Sequence, residues 1–252
     1  GKANHLMQVA SKFEQHVDDR LLALRLTESW GEYYRLLFDW DQAYARIADG
    51  IVLADTLGDT TGKARLLVMR ARVGRAAGEQ DSVIWQALIE AENLVKSIPA
   101  QREKLTILLD KTEYLIESNR LREAQEEYAQ VRLLPQFEGI NTLQGRISFL
   151  NGLIDFRSGQ HRQAITLFND AYLASKTLPM PEMTWKPLVA LGETYQALTE
   201  YERAFKCYIE AFDILKRLAS GIADPTSKRR YLSDVAKIAV ADKLETISAL
   251  AT

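Results

Sequence analysis

The sequence predicts an all-α fold of repeated helix hairpins, and three observations predict it. Residue classes recur at a spacing of 40: Arg72, Thr112, Gly152 and Gly192 share one register, and Ile84, Ala124, Ala164 and Ala204 share another. Leu88, Tyr128, Phe168 and Tyr208 follow in step, then Ala91, Val131, Ala171 and Ala211. A fixed period of this size marks stacked supersecondary units. The apolar spacing is helical throughout, and no alternating run bounded by Asn-Gly or Asp-Gly suggests a strand. Proline falls where helices should stop or start: Pro99, Pro135 and Pro179 close units, Pro181 follows, Pro187 sits in an opening turn and Pro225 begins a last helix.

The elements follow in order. One helix is expected at about 3–22, ahead of the repeats. The first hairpin, 24–60, carries Trp30-Gly31, Tyr34, Trp40, Ala43, Ile47 and Gly50. The second, 65–100, is the weakest, with Arg72 and Ile84 in positions that elsewhere hold small residues. The third, 104–138, keeps Leu115, Leu121, Ala124 and Tyr128 but has lost the glycine. The fourth, 144–180, keeps Gly152, Gly159, Ala164, Phe168 and Ala171, with Asn151 and Asp155 replacing apolar residues. The fifth, 184–220, is the clearest, with Trp185, Leu188, Leu191-Gly192, Tyr195, Tyr201, Ala204, Tyr208 and Ala211. Gly192 and Ala204 are placed where the two helices of a hairpin cross closely. A single closing helix is expected at about 225–249. The chain thus divides into 1–23, a repeat array over 24–220, and a closing segment over 221–252.

The fifth unit resembles the tetratricopeptide repeat (TPR), whose signature runs Trp-x2-Leu-Gly-x2-Tyr, then Ala, aromatic, Ala. The resemblance implies a right-handed α-solenoid of about five hairpins with an N-terminal helix and a C-terminal cap. The ordinary repeat has about 34 residues. The longer unit here, with Leu57-Gly58-Asp59 between hairpins, is similar to repeats in regulatory arms of bacterial signal-transduction ATPases and transcription regulators. The resemblance implies a non-catalytic module that docks a peptide or protein domain on its concave surface. Two alternatives stand beside it: a ligand- or peptide-sensing arm of a larger signalling protein, and a self-association module pairing copies through Leu6, Leu21, Leu22 and Leu250.

Composition narrows the partners. With 32 basic and 34 acidic residues the net charge is -2, which offers no electrostatic footprint for nucleic acid. No apolar run is long enough to cross a membrane. The single cysteine, Cys207, excludes a disulfide framework and fits a cytoplasmic setting. The first residue is Gly1, so the chain is expected to be a piece of a longer one, with a neighbouring domain or a second copy among its partners.

Catalytic patterns are missing. His5, His16 and His161 lack metal-ligand spacing, Asp18-Asp19 has no third carboxylate at i+4, and phosphate-cradling and nucleophile-elbow motifs do not occur. No enzyme activity, metal or cofactor is expected. Cys207 reads as a packing residue and Lys228-Arg229-Arg230 as the polar face of the closing helix.

In the tetratricopeptide family the first helix of each hairpin lines the concave face. By register this face takes Glu28, Glu32 and Arg35, then Met69, Arg70 and Val73, then Asp110, Glu113 and Glu117. The fourth repeat supplies Arg146, Phe149, Leu153, Phe156 and Arg157, and the fifth Lys186, Glu193 and Gln196. Charge alternates between repeats. Phe149 and Phe156 flanked by Arg146 and Arg157 form the best anchor, because aromatic and Arg side chains carry much of the energy at interfaces. The Lys/Asn clamp that some family members close on a peptide's terminal carboxylate is not reproduced: its positions hold Glu28, Glu32, Arg70, Thr106 and Asp110.

Overall fold

The computed structural model describes residues 19–135, 141–177 and 182–248, and no strand occurs among them. Asp19 opens the first helix by accepting hydrogen bonds from the backbone N–H groups of Leu21 and Leu22, so α1 runs Arg20–Leu36. Residues 20–22, expected to end a preceding helix, therefore belong to the first hairpin. The rest of that expected helix, with His5, Leu6 and His16, lies outside the described residues.

The helices fall into two compact units. The first contains α1, α2 (Trp40–Leu57), α3 (Thr60–Ala77), α4 (Asp81–Val95) and the opening part of α5 (Gln101–Glu117), together with 223–231. Those last residues form most of α11 (Pro225–Leu232). The second starts at Thr112 and contains α6 (Leu121–Ala129), a 3-10 turn (Gln130–Leu133), α7 (Asn141–Arg157), α8 (His161–Lys176), α9 (Glu182–Ala197), α10 (Tyr201–Ser220) and α12 (Val235–Ser248). In the first unit α1 packs on α2, α2 on α3 and α3 on α4; in the second α6 packs on α7, α7 on α8, α8 on α9 and α9 on α10; α1 also meets α3 as α7 meets α9. This is the all-α solenoid class: each hairpin leans on its neighbour through its first helix.

The turns explain why the pairs recur. In each hairpin the N–H just past the first helix bonds back to a carbonyl five residues earlier: Asp39 to Tyr34, Glu79 to Gly74, Arg120 to Leu115, Gln160 to Asp155 and Glu200 to Tyr195. The residue before it takes a left-handed conformation, namely Phe38, Gly78, Asn119, Gly159 and Thr199. Between hairpins, Gly58 (φ +66°) ends α2, and Asp59 caps α3 by accepting from the Gly62 N–H. The Leu-Gly-Asp sequence is thus a stop followed by a start.

Close crossings sit where the register put small residues. A Cβ on Gly192 would lie 2.4 Å from the Tyr208 ring, and one on Gly152 would lie 2.6 Å from the Phe168 ring. Both rings are fully buried. The first unit's core gathers Leu24, Ala43, Ile47, Leu66, Met69 and Val73. In the second, Ile247 and Leu244 of α12 pack with Ala204 and Tyr208 of α10, covering the last hairpin.

Two expectations need correction. The closing segment is two helices, not one; α12 covers α10, while α11 packs in the first unit. Pro187 lies inside α9 instead of its opening turn, because α9 begins at Glu182. The missing N–H would have faced the Met183 carbonyl one turn back.

Candidate functional site

The alternating charge on the first helices of the hairpins has a structural cause. In the first unit, Arg65 of α3 bonds Glu28 of α1 at 3.0 Å and Glu103 of α5 at 3.1 Å, so one guanidinium ties three successive first helices. Arg72, about two turns further along α3, holds both Asp110 carboxylate oxygens at 2.7 Å. Glu32 of α1 pairs with Arg35 at 2.7 Å. Burial pushes the Glu32 carboxyl up, but the Arg35 hydrogen bond and the Arg35 and Arg72 charges outweigh it and hold it below the usual range. In the second unit, Arg146 of α7 meets Glu113 of α5 at 2.6 Å. Within each unit, carboxylates of α1 and α5 thus pair with guanidiniums of α3 and α7 one hairpin away. Such pairs fix register more surely than they add stability, since desolvation offsets much of their attraction.

This relocates several residues that the register assigned to a partner surface. Asp110 is 1 % exposed and faces Arg72 instead of solvent. Glu113 and Arg146 neutralise each other. Phe149 is buried, with its ring 5.8 Å from that of Phe168. Met69 and Val73 are core residues. Arg70 binds Glu79 at 2.6 Å and lies 4.5 Å over the Tyr44 ring. Burial and the nearby Glu79 carboxylate push the Tyr44 hydroxyl up to about 12.

The remaining residues lie on α7 and α9 of the second unit, which pack against each other. Phe156 is half-buried, 5.4 Å from the His161 ring at the start of α8, and Arg157 beside it is exposed. Lys186 is half-buried and Gln196 exposed, its side-chain oxygen accepting from the Tyr208 hydroxyl at 3.1 Å. Glu193 pairs with Lys243 of α12 at 2.9 Å.

Sequence reasoning missed Arg65 and Glu103, the widest-reaching ties. Their signal was present: Glu28, Arg65 and Glu103 alternate in sign at separations of 37 and 38, one repeat apart. Cys207 is half-buried, and burial pushes its thiol up to about 11, away from thiolate reactivity. Among the described residues no three His, Cys, Asp or Glu side chains are grouped to hold a metal ion, and no helix is long and apolar enough to cross a membrane.

No protein-family model and no curated protein matches the sequence. Solved structures do match in fold. BtubC (BKLC) from P. vanneervenii aligns with TM-score 0.55 at 15% identity, over 89% of this chain and 92% of that one. A chain of the APC/C hetero-tetramer Cut9-Hcn1 aligns with TM-score 0.63 at 16% identity, over 97% of this chain and 46% of that one. With its 40-residue period and hairpin-on-hairpin packing, the chain has a tetratricopeptide-like fold.

Proposed function

We propose that the chain is a non-catalytic protein-interaction module, and that it docks a peptide or protein domain on the first helices of its second unit. One observation carries the reading. The first helices of the earlier hairpins spend their charges on one another, whereas the end of α7 presents exposed Arg157 beside half-buried Phe156, with Lys186 and Gln196 on the adjoining α9. Arg and aromatic side chains are both enriched where interfaces are anchored. Charge there sets orientation and encounter rate, and the ring sets residence time. The likeness to a fold solved within the Cut9-Hcn1 hetero-tetramer supports this class of function.

The test is affinity capture with the intact chain, followed by titration of the recovered partner against wild type, Arg157→Glu and Glu126→Lys. Glu126 is exposed on α6, a second helix of its hairpin. Arg157→Glu weakens binding about tenfold or more, and Glu126→Lys leaves it within about twofold. Equal affinities for all three would remove α7 from the site.

A further inference from the structure

Helix α11 makes an unusual contact. It follows the last hairpin in sequence, yet it belongs to the first unit and packs on the turn between α1 and α2. Arg230 and Tyr231 both make contacts there. Arg230 bonds the Asp39 carboxylate at 2.5 Å, and the Tyr231 ring lies edge-on to Phe38 at 6.4 Å. Tyr231 is the one buried residue of the helix. The corner it covers is aromatic: Phe38 packs against Trp40 at 5.1 Å, and Tyr33 stands close enough to Asp224, ahead of α11, to feel its charge.

The helix is short and its ion pair with Asp39 is partly exposed. Eight residues make two turns, a length that does not hold helical form by itself in water. Non-helical residues flank it at 221–224 and 233–234. Its ion pair is 46% and 28% exposed at its two side chains, so solvent screens it.

Asp39 also occupies a second role that it does not fill. It is the N-cap residue of α2, the position where an aspartate side chain ordinarily accepts from the N–H two or three residues on, yet it makes no capping hydrogen bond. Its carboxylate is turned to Arg230 instead. The neighbouring Asp19 and Asp59, in the same position on α1 and α3, do cap.

We propose that α11 is a releasable latch on the α1–α2 corner, and that Asp39 is its switch. Docked, the Asp39 carboxylate accepts from Arg230. Released, it turns through its own side-chain torsions to accept from the backbone N–H of Asp41 or Gln42 at the start of α2. One hydrogen-bonded arrangement replaces another, so undocking leaves no stranded charge and exposes Phe38, Trp40 and Tyr33 together.

Amide hydrogen exchange on the full chain tests this. In wild type, α11 amides exchange by a local opening that leaves α3 and α10 protected. Arg230→Gln speeds exchange in α11 about two- to fivefold and, because Asp39 is freed to cap, slows the Asp41 and Gln42 amides by about fivefold. Asp39→Asn releases α11 to the same degree while retaining a capping side chain. Asp39→Ala releases α11 without slowing the Asp41 and Gln42 amides. Tyr231→Ala releases α11 more strongly, and the Asp41 and Gln42 amides slow as in Arg230→Gln. The proposal is overturned if α11 exchanges only together with α3, or if Arg230→Gln and Tyr231→Ala leave the Asp41 and Gln42 amides no slower than in wild type.

Discussion

Arg72 grips both carboxylate oxygens of Asp110 at 2.7 Å, and Asp110 is 1 % exposed. The pair joins α3 to α5 across one repeat, and it explains why Arg72 stands where other repeats carry glycine or threonine. A guanidinium at this point replaces close contact between helices with a bidentate bridge.

Removing Arg72 takes from Asp110 the guanidinium that holds both its oxygens. Arg72→Ala leaves a buried carboxylate without its counter-charge and lowers stability by about 3 kcal/mol, the low end for a buried pair, because the Arg72 side chain is 28% exposed. Arg72→Met with Asp110→Leu recovers most of that loss. Denaturant unfolding of the two single variants and the double variant measures the coupling. Additive losses would mean that the pair contributes nothing as a pair.

The hairpin count and the class of fold were legible because small and aromatic residues at fixed spacing report steric fit, which is local. Gly192 was readable as a crossing point, and Tyr208, sixteen positions on, is the ring that fills it. The surface was much less legible. Asp110, Glu113 and Arg146 carry the residue types of a binding face, and nothing in their own segments says that their partners lie one repeat away. Phe149 and Phe156 are seven apart on one helix, yet one is buried against Phe168 and the other is not. Helical phase alone does not separate them; Phe156 lies at the end of α7, against the His161 ring. The return of α11 to the first unit had no signal at all. Arg230 and Asp39, which meet there, lie 191 residues apart in sequence.

The Gly192 crossing gives a second prediction. Gly192→Ala puts a methyl group 2.4 Å from the Tyr208 ring, a clash on a fully buried side chain that has no room to give. Stability falls by about 1–3 kcal/mol despite the better helix propensity of alanine. Combining it with Tyr208→Leu removes the clash. The second substitution then costs less in the Gly192→Ala background than in wild type, by thermal or denaturant unfolding.

Acid should act in opposite senses on α1–α3 and on Asp155 of α7. Glu32, Asp59 and Glu79 all belong to the first unit, and all are held below their ordinary values. For Glu79 the Arg70 hydrogen bond is the chief cause. For Asp59 burial pushes upward, but the Gly62 N–H, Thr61 and nearby arginines outweigh it. A depressed folded value contributes stability above the unfolded value, lost as pH falls through the folded one. In the second unit burial pushes Asp155 up, so its contribution is present in acid and lost as pH rises through the raised value. Lowering pH to about 3.5 therefore opens α1–α3 before α7–α9. Pulsed hydrogen labelling at successive pH values reads the order, and simultaneous opening would contradict it.

Thr199 supplies the last prediction. It holds φ +60° in the turn of the fifth hairpin, the place Gly159 takes in the fourth and Asn119 in the third. A β-branched residue meets its own carbonyl in this conformation, at a cost of about 1–2 kcal/mol that glycine does not incur. The turn cannot relax, because the Glu200 N–H closes onto the Tyr195 carbonyl at 2.9 Å. Thr199 is exposed, and its hydroxyl bonds only the adjacent Leu198 carbonyl, so little packing is lost on replacement. Thr199→Gly therefore stabilises the second unit by about 1 kcal/mol, part of the relief being offset by the greater freedom of glycine in the unfolded chain. Thr199→Asn gives a similar gain, and Thr199→Val gives none. A rise in the denaturant midpoint for glycine and asparagine but not valine separates relief of backbone strain from loss of the hydroxyl.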